Sequence, residues 1–447
     1  MNPEEAPRRR GKRFFWAVLL LGAVLAGVVV LPRTDVFLTF WYAHNLRGED
    51  IEARAAAMKH LALRQWRVKD LCPILVAGLK EESPAPVQVA AVEALGSLGE
   101  KALPWILAEL EAFEAPERAR DSKSKDKPIH PPHERLITAL TRSAIGSVEL
   151  LRLALLQRSV AVQDGLCYAL RHRGTAAASE FRELLKHGQD FELCDAALSL
   201  LETYMSKDAS PVLGAIALAA SDPAKPLPLR RRSAGALVRL TEQPASAVPA
   251  LLRCVADTDV ALRKASLIAL SAYVGHARTA VPVVSRVAWS KTEPAELRVA
   301  AMACLRRIAS AEEWPLDSWE KALGEPAPEV RAAAASCFRS FKSPLPSSCA
   351  RLAALLADEA GEVAYEAREG LARAGAAGVP ALLPLLEGEM KLVAESILWD
   401  SAGQNTAVVK ALQDALPTAS PASRRSIEQI LDRVVPVTRS KARSAAE

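Results

Sequence analysis

Apolar positions along this chain fall into two alternating kinds of run, each with its own punctuation. One kind is opened by a proline: Cys72-Pro73-Ile74-Leu75, Leu103-Pro104-Trp105-Ile106, Val248-Pro249-Ala250-Leu251, Val281-Pro282-Val283-Val284 and Val379-Pro380-Ala381-Leu382. Proline is tolerated in the first turn of a helix, where its missing N–H would have no partner anyway, so each run predicts a helix start. The other kind follows an acidic or proline-containing turn, as in Asp259-Val260-Ala261-Leu262, Glu329-Val330-Arg331-Ala332 and Glu362-Val363-Ala364-Tyr365. Asp259 can accept hydrogen bonds from free N–H groups at a helix start, and Glu329 and Glu362 complement the dipole there. Val260, Leu267 and Leu270 then share one helical face, as do Val330, Ala334 and Cys337.

The prolines keep time. Pro249, Pro282, Pro315, Pro346 and Pro380 are spaced by 33, 33, 31 and 34 residues. A self-similar period of this size predicts helical hairpins that stack, each burying its apolar face only against its neighbours. Second-helix starts near 51, 87, 133, 160, 192, 229, 260, 297, 330, 363 and 393 give about eleven such units. Composition agrees: half the residues are hydrophobic but only 5% are aromatic, and alanine dominates the apolar set. Small side chains are strong helix formers and let helices approach closely. Sustained alternation of the strand type is absent, so the fold class is all-α. The 447 residues would ordinarily suggest roughly three domains, but repeat proteins lengthen by adding units.

A proline-bearing first helix, a turn, then a second helix of the type acidic-x-x-V-R-x-x-A resembles the HEAT-repeat family, including its phycobilisome-lyase-like variety. The resemblance spans roughly residues 51–433 and is clearest at 85–111 and 226–388, and the repeat domain it predicts is 51–435. It implies a right-handed α-solenoid, and it implies that Arg263, Arg298 and Arg331 pair with turn acids of the following unit. The runs Arg230-Arg231-Arg232 and Arg306-Arg307 read as solvated faces. Residues 114–132 are charged, proline-bearing and without periodicity, and predict a loop insertion.

The ends differ from the middle. Residues 1–13 and 433–447 each sum to +3 and the whole chain is +5, so residues 14–432 sum to −1. A dedicated nucleic-acid binder carries a basic body, and this body is near neutral. Residues 14–31 are eighteen uncharged apolar residues after the basic cluster, a length of roughly 27 Å as a helix. They predict a transmembrane signal anchor, with 1–13 cytoplasmic and the repeats on the non-cytoplasmic, periplasmic side if the source is bacterial. Cleavage after Val24-Leu25-Ala26 would instead leave a secreted protein without residues 1–26. Residues 32–50 form a juxtamembrane segment, in which Phe37, Phe40, Trp41 and Tyr42 either sit at an interface or fill a helix face. Residues 436–447 read as a disordered basic tail.

No catalytic constellation is present. The seven cysteines contain no C-x-x-C pair and read as buried core thiols. Cys304 and Cys337, one repeat apart, would lie roughly 8–10 Å from each other, too far to bridge. His130 and His133 enclose two prolines, which prevents the helical i, i+4 geometry of a zinc pair. No catalytic, cofactor, metal or small-molecule site is assigned, and no partner-binding residue can be ranked. The expected function is a membrane-anchored, non-catalytic scaffold for protein–protein interaction. Alternatives are a lyase-like activity on a chromophore or protein, or nucleic-acid binding.

Overall fold

The computed structural model describes residues 34–80, 82–112, 131–309, 315–340 and 345–444. Among them the chain is helical throughout and contains no strand. It divides into two compact units, Met1–Pro211 and Val212–Glu447.

In the first unit the helices are α1 (Thr34–Asn45), α2 (Ile51–Leu63), α3 (Val68–Gly78), α4 (Ala85–Leu98), α5 (Leu103–Ala112), α6 (Pro131–Arg142), α7 (Ser147–Leu156), α8 (Val160–Arg173), α9 (Thr175–His187) and α10 (Phe191–Tyr204). The second helices form one row, α2 on α4, α4 on α6, α6 on α8 and α8 on α10. First helices lie behind them, with α3 against α4 and α5, and α7 against α8 and α9. Asp50 caps α2 by accepting from the Glu52 and Ala53 amides, and Asp190 caps α10 through Leu193 N–H. Tyr42 of α1 stacks on His60 of α2 at 4.0 Å, so this aromatic helps join the first two helices. The side chains of Phe37 and Phe40 lie outside the described residues.

The second unit begins within α11 (Ser210–Ser221). It continues with α12 (Leu227–Ala236), α13 (Pro244–Val255), α14 (Val260–Ala272), α15 (Val281–Trp289), α16 (Ala295–Ile308), α17 (Leu316–Ala322) and α18 (Pro328–Phe338). It ends with α19 (Pro346–Ala354), α20 (Gly361–Ala374), α21 (Val379–Leu382), α22 (Lys391–Ala402), α23 (Thr406–Ala415) and α24 (Pro421–Ser444). Here the second-helix row runs α12, α14, α16, α18, α20, α22, α24, each packed on the next. The buried seam is mostly alanine and leucine, so backbones can come close. Larger groups fill the layer behind, where Trp289 meets the fully buried Trp319 edge to face at 4.8 Å.

The observed second helices begin at 51, 85, 131, 160, 191, 227, 260, 295, 328, 361 and 391. Each is within two residues of its expected position. Three details differ. Pro73 and Pro249 are interior to α3 and α13, because those helices begin a turn earlier than the proline suggested. The final helix continues through Pro436 to Ser444, where a disordered tail was expected. Of the loop expected at 114–132, residues 113–130 lie outside the described residues, and Pro131 and Pro132 open α6.

The single-pass membrane topology requires correction. Among the described residues no helix is long and apolar enough to cross a membrane. Spanning takes about 20 consecutive apolar residues. The longest helix, α24, carries Arg424, Arg425, Glu428, Asp432 and Arg433 instead. Residues 14–31, on which the expected anchor and the orientation of the repeats depended, lie outside the described residues.

Candidate functional site

The second unit is cross-linked by charge along its row of second helices. Arg230 donates to Asp257 at 2.5 Å, and Arg231 reaches both oxygens of Asp259 at 2.8 and 2.5 Å. Arg263 holds Glu293 through two bonds of 2.8 and 2.5 Å. Lys264 meets Glu296 at 3.0 Å, Arg298 meets Glu325 at 3.2 Å, and Arg331 grips Asp358 with two bonds of 2.8 Å. Arg339 with Glu366 and Arg368 with Asp400 carry the series to α22. In each pair the cation belongs to one hairpin and the acid to the turn or second helix of the next.

Four of these arginines occupy the same repeat position and perform a second task. Arg230 also donates to the Ala220 carbonyl, Arg263 to Val255, Arg298 to Ala288, and Arg331 to Glu325 and Pro326. Ala220, Val255 and Ala288 lie in the last turns of first helices, where carbonyls lack intrahelical partners. One guanidinium therefore closes its own hairpin and binds the following one, which its planar fork of donors permits. The carboxylates register this. Asp358, Glu325 and Asp259 are held below the usual range chiefly by the hydrogen bonds of Arg331, Arg298 and Arg231. Asp257 is lowered first by the Asp259 amide and then by Arg230.

Pairing of Arg263, Arg298 and Arg331 with acids of the next unit is what the resemblance to HEAT repeats implied. Arg230 and Arg231 were not expected to be tied down. Their aligned position with Arg263 was the available signal, obscured by a run of three arginines. Arg307 donates to the Ser271 carbonyl and is likewise engaged.

Between these anchors the row presents an open groove of about 360 Å³, lined by Val299, Ala303 and Arg306 of α16, Glu329, Ala332, Ala333, Ser336 and Cys337 of α18, and Glu362 and Glu366 of α20. Ala332, Ala333 and Ser336 of α18 keep its middle shallow, between Arg306 of α16 and Glu362 and Glu366 of α20. Glu329, Glu362 and Glu366 line it with Arg306 on the opposite wall. Periodicity showed which faces were buried. It did not show that small residues on one exposed face would sit between two taller helices.

Chemical groups elsewhere serve structure. Six of the seven cysteines are buried, Cys167 is partly buried, and none forms a disulfide. Burial pushes Cys72 up to about 11, and Cys304 and Cys337 up to about 12, which suppresses the thiolate that chemistry would need. In the first unit Arg173 closes the turn after α6 by donating to the carbonyls of Leu140, Thr141, Ser143 and Ile145. His130 lies outside the described residues, and His133 falls in the first turn of α6. Among the described residues no group of histidine, cysteine, aspartate or glutamate could hold a metal ion.

The class defined by these features is an all-helical protein of stacked, charge-linked hairpins. No family model matches the chain, and no curated protein matches it. Among solved structures it is similar to the karyopherin Kap121p bound to the SUMO protease Ulp1p, at 15% identity and a TM-score of 0.41, covering 89% of this chain and 45% of that one. Kap121p bound to Pho4p gives 16% identity and 0.41, covering 90% and 45%. The Kap95:Nup1 complex gives 12% and 0.42, covering 94% and 65%. The chain thus spans about half the length of the Kap121p structures it matches.

Proposed function

We propose that this chain is a non-catalytic scaffold of about eleven HEAT-like hairpins that binds another protein through the exposed face of its second helices. The groove on α16, α18 and α20 is the observation that carries this reading. It is an open, mixed polar and apolar trough on a row of helices held in place by paired charges, which suits a protein segment better than an enclosed small molecule. Preorganisation reduces the cost of association, and the ladder supplies it. Raised thiols and scattered histidines support a role without catalysis.

The test is a groove filled from within. Ala333 is partly exposed and lines the trough, so Ala333→Arg should occupy it while leaving the buried seam untouched. Proteins retained by the tagged wild-type chain are compared with those retained by the variant, after circular dichroism confirms equal helicity. Loss of a specific partner from the Ala333→Arg chain supports the reading. Identical partners, bound with identical affinity, would refute it.

A further inference from the structure

We infer that the first unit carries a second docking site, separate from the groove above, for a short acidic segment of a partner protein. The site is an open cavity of about 820 Å³ between the end of α1 and the turn joining α2 to α3. Leu46, Trp66, Pro73 and Ile74 give it an apolar wall, and His44, Arg47, Arg67 and Lys69 surround that wall, with Asp70 as its one acid.

The local backbone explains how these groups come together. Gln65 and Arg67 both adopt the left-handed conformation, with φ of 51° and 38°, on either side of Trp66. The indole is partly buried in this turn, and the Arg67 guanidinium lies 5.4 Å from its ring centre. Two left-handed non-glycine residues so close together are rare and costly. The cations remain available. Among the described residues Arg47, Arg67 and Lys69 form no ion pair, although most arginines of the second-unit ladder are matched to carboxylates.

Charge complementarity selects the occupant. Three cationic groups without an ion-pair partner around an apolar wall fit a ligand with several negative charges and an apolar side chain between them. The opening is broad, so the ligand lies across it. A polynucleotide would need the cationic track to continue along neighbouring helices. Here exposed Glu49, Asp50 and Glu52 interrupt it where α2 begins. A short acidic peptide matches that limited extent.

The experiment uses the full chain and a fluorescein-labelled peptide in which glutamates flank one phenylalanine. Binding is followed by fluorescence anisotropy, against a matching lysine peptide, a single-stranded oligonucleotide and inorganic phosphate as competitor. The variant Arg47→Gln/Arg67→Gln/Lys69→Gln removes the charges from exposed positions, and Lys410→Gln, at an exposed position of α23 outside both sites, is the control. The acidic peptide should bind the wild type, weaken by about tenfold in the triple variant, remain unchanged in Lys410→Gln and weaken with salt. Loss of affinity in Trp66→Ala, with helicity retained, would support the apolar wall. Four outcomes overturn the proposal: equal binding of the lysine peptide, tighter binding of the oligonucleotide, displacement by phosphate alone, or equal affinity in the triple variant. Because Ala333→Arg reports on the other unit, either site can fail without the other.

Discussion

Removing the Arg331–Asp358 link tests whether the ladder holds neighbouring hairpins together or merely decorates them. Arg331 and Asp358 side chains are only 18% and 8% exposed and share two bonds of 2.8 Å. Lys264 and Glu296, which join adjacent hairpins by one contact of 3.0 Å, are 43% and 54% exposed. Solvent-exposed pairs are worth roughly 0.2–1 kcal/mol, whereas breaking a buried pair costs about 3–5. The partly buried bidentate pair should therefore couple by about 2 kcal/mol and the exposed pair by about 0.5. A double-mutant cycle isolates that term. Arg331→Met keeps the aliphatic stem, and Asp358→Asn keeps an acceptor for the Ala360 amide, which Asp358 receives at 3.0 Å. Hydrogen exchange at the amides of α18 and α20 is the suitable assay, because a long repeat array need not unfold in one step. A coupling of 2 kcal/mol corresponds to about a 30-fold change in local opening. A coupling no larger than that of Lys264→Met/Glu296→Gln would refute the argument.

The depressed carboxylates predict acid sensitivity with a definite sign. Asp257, Asp259, Glu325 and Asp358 fall below their ordinary values of 3.8 and 4.5, so their contribution is complete above that range and is lost as pH falls through the lower folded values. Exchange protection of α14, α18 and α20 should drop below about pH 4; protection that held constant or rose down to about pH 2 would contradict this. Thiol titration with an aromatic disulfide should label Cys167 at most in the folded chain and all seven cysteines after denaturation; rapid native labelling of Cys304 or Cys337 would show that the core is open. Gly375 has φ 57° and ψ −127°, and an added Cβ would lie 3.1 Å from Asn405 Nδ2. Gly375→Ala should therefore cost about 2 kcal/mol in urea unfolding, and a neutral result would remove the backbone argument. Val274 occupies the left-handed region at φ 36° while half exposed, so Val274→Gly should be neutral or stabilising by up to about 1 kcal/mol; a loss beyond that would show that its side chain matters.

Register was the most legible property of the sequence, and the reason is physical. A second helix must bury a stripe against two neighbours, so Val330, Ala334 and Cys337 cannot drift without exposing the seam, and all three are buried. Helix beginnings were less legible when proline was the marker. Pro249 breaks one hydrogen bond inside α13, a loss that packing outweighs, and the helix begins at Pro244 instead. Composition also misled at the C-terminal end: α24 runs past Pro436, although its basic residues there suggested a tail. The groove was invisible because it depends on the heights of side chains on three separate helices, and no single period encodes a difference between neighbours.

The same division explains how such a chain can hold a site without dedicated chemistry. Positions facing the seam are constrained by volume, and the repeat-position arginines are constrained by carbonyls on one side and carboxylates on the other. The remaining exposed positions of each second helix are free of both demands. At Arg263 the guanidinium is occupied by Val255 and Glu293, yet the outward neighbours Ala261 and Ile268 contribute to neither bond and remain exposed. Substitution there changes the surface while the spacing of helices persists. The ladder makes the row rigid with groups that point along it, which leaves the outward face to vary, and the trough over α18 is what that freedom produced in this chain.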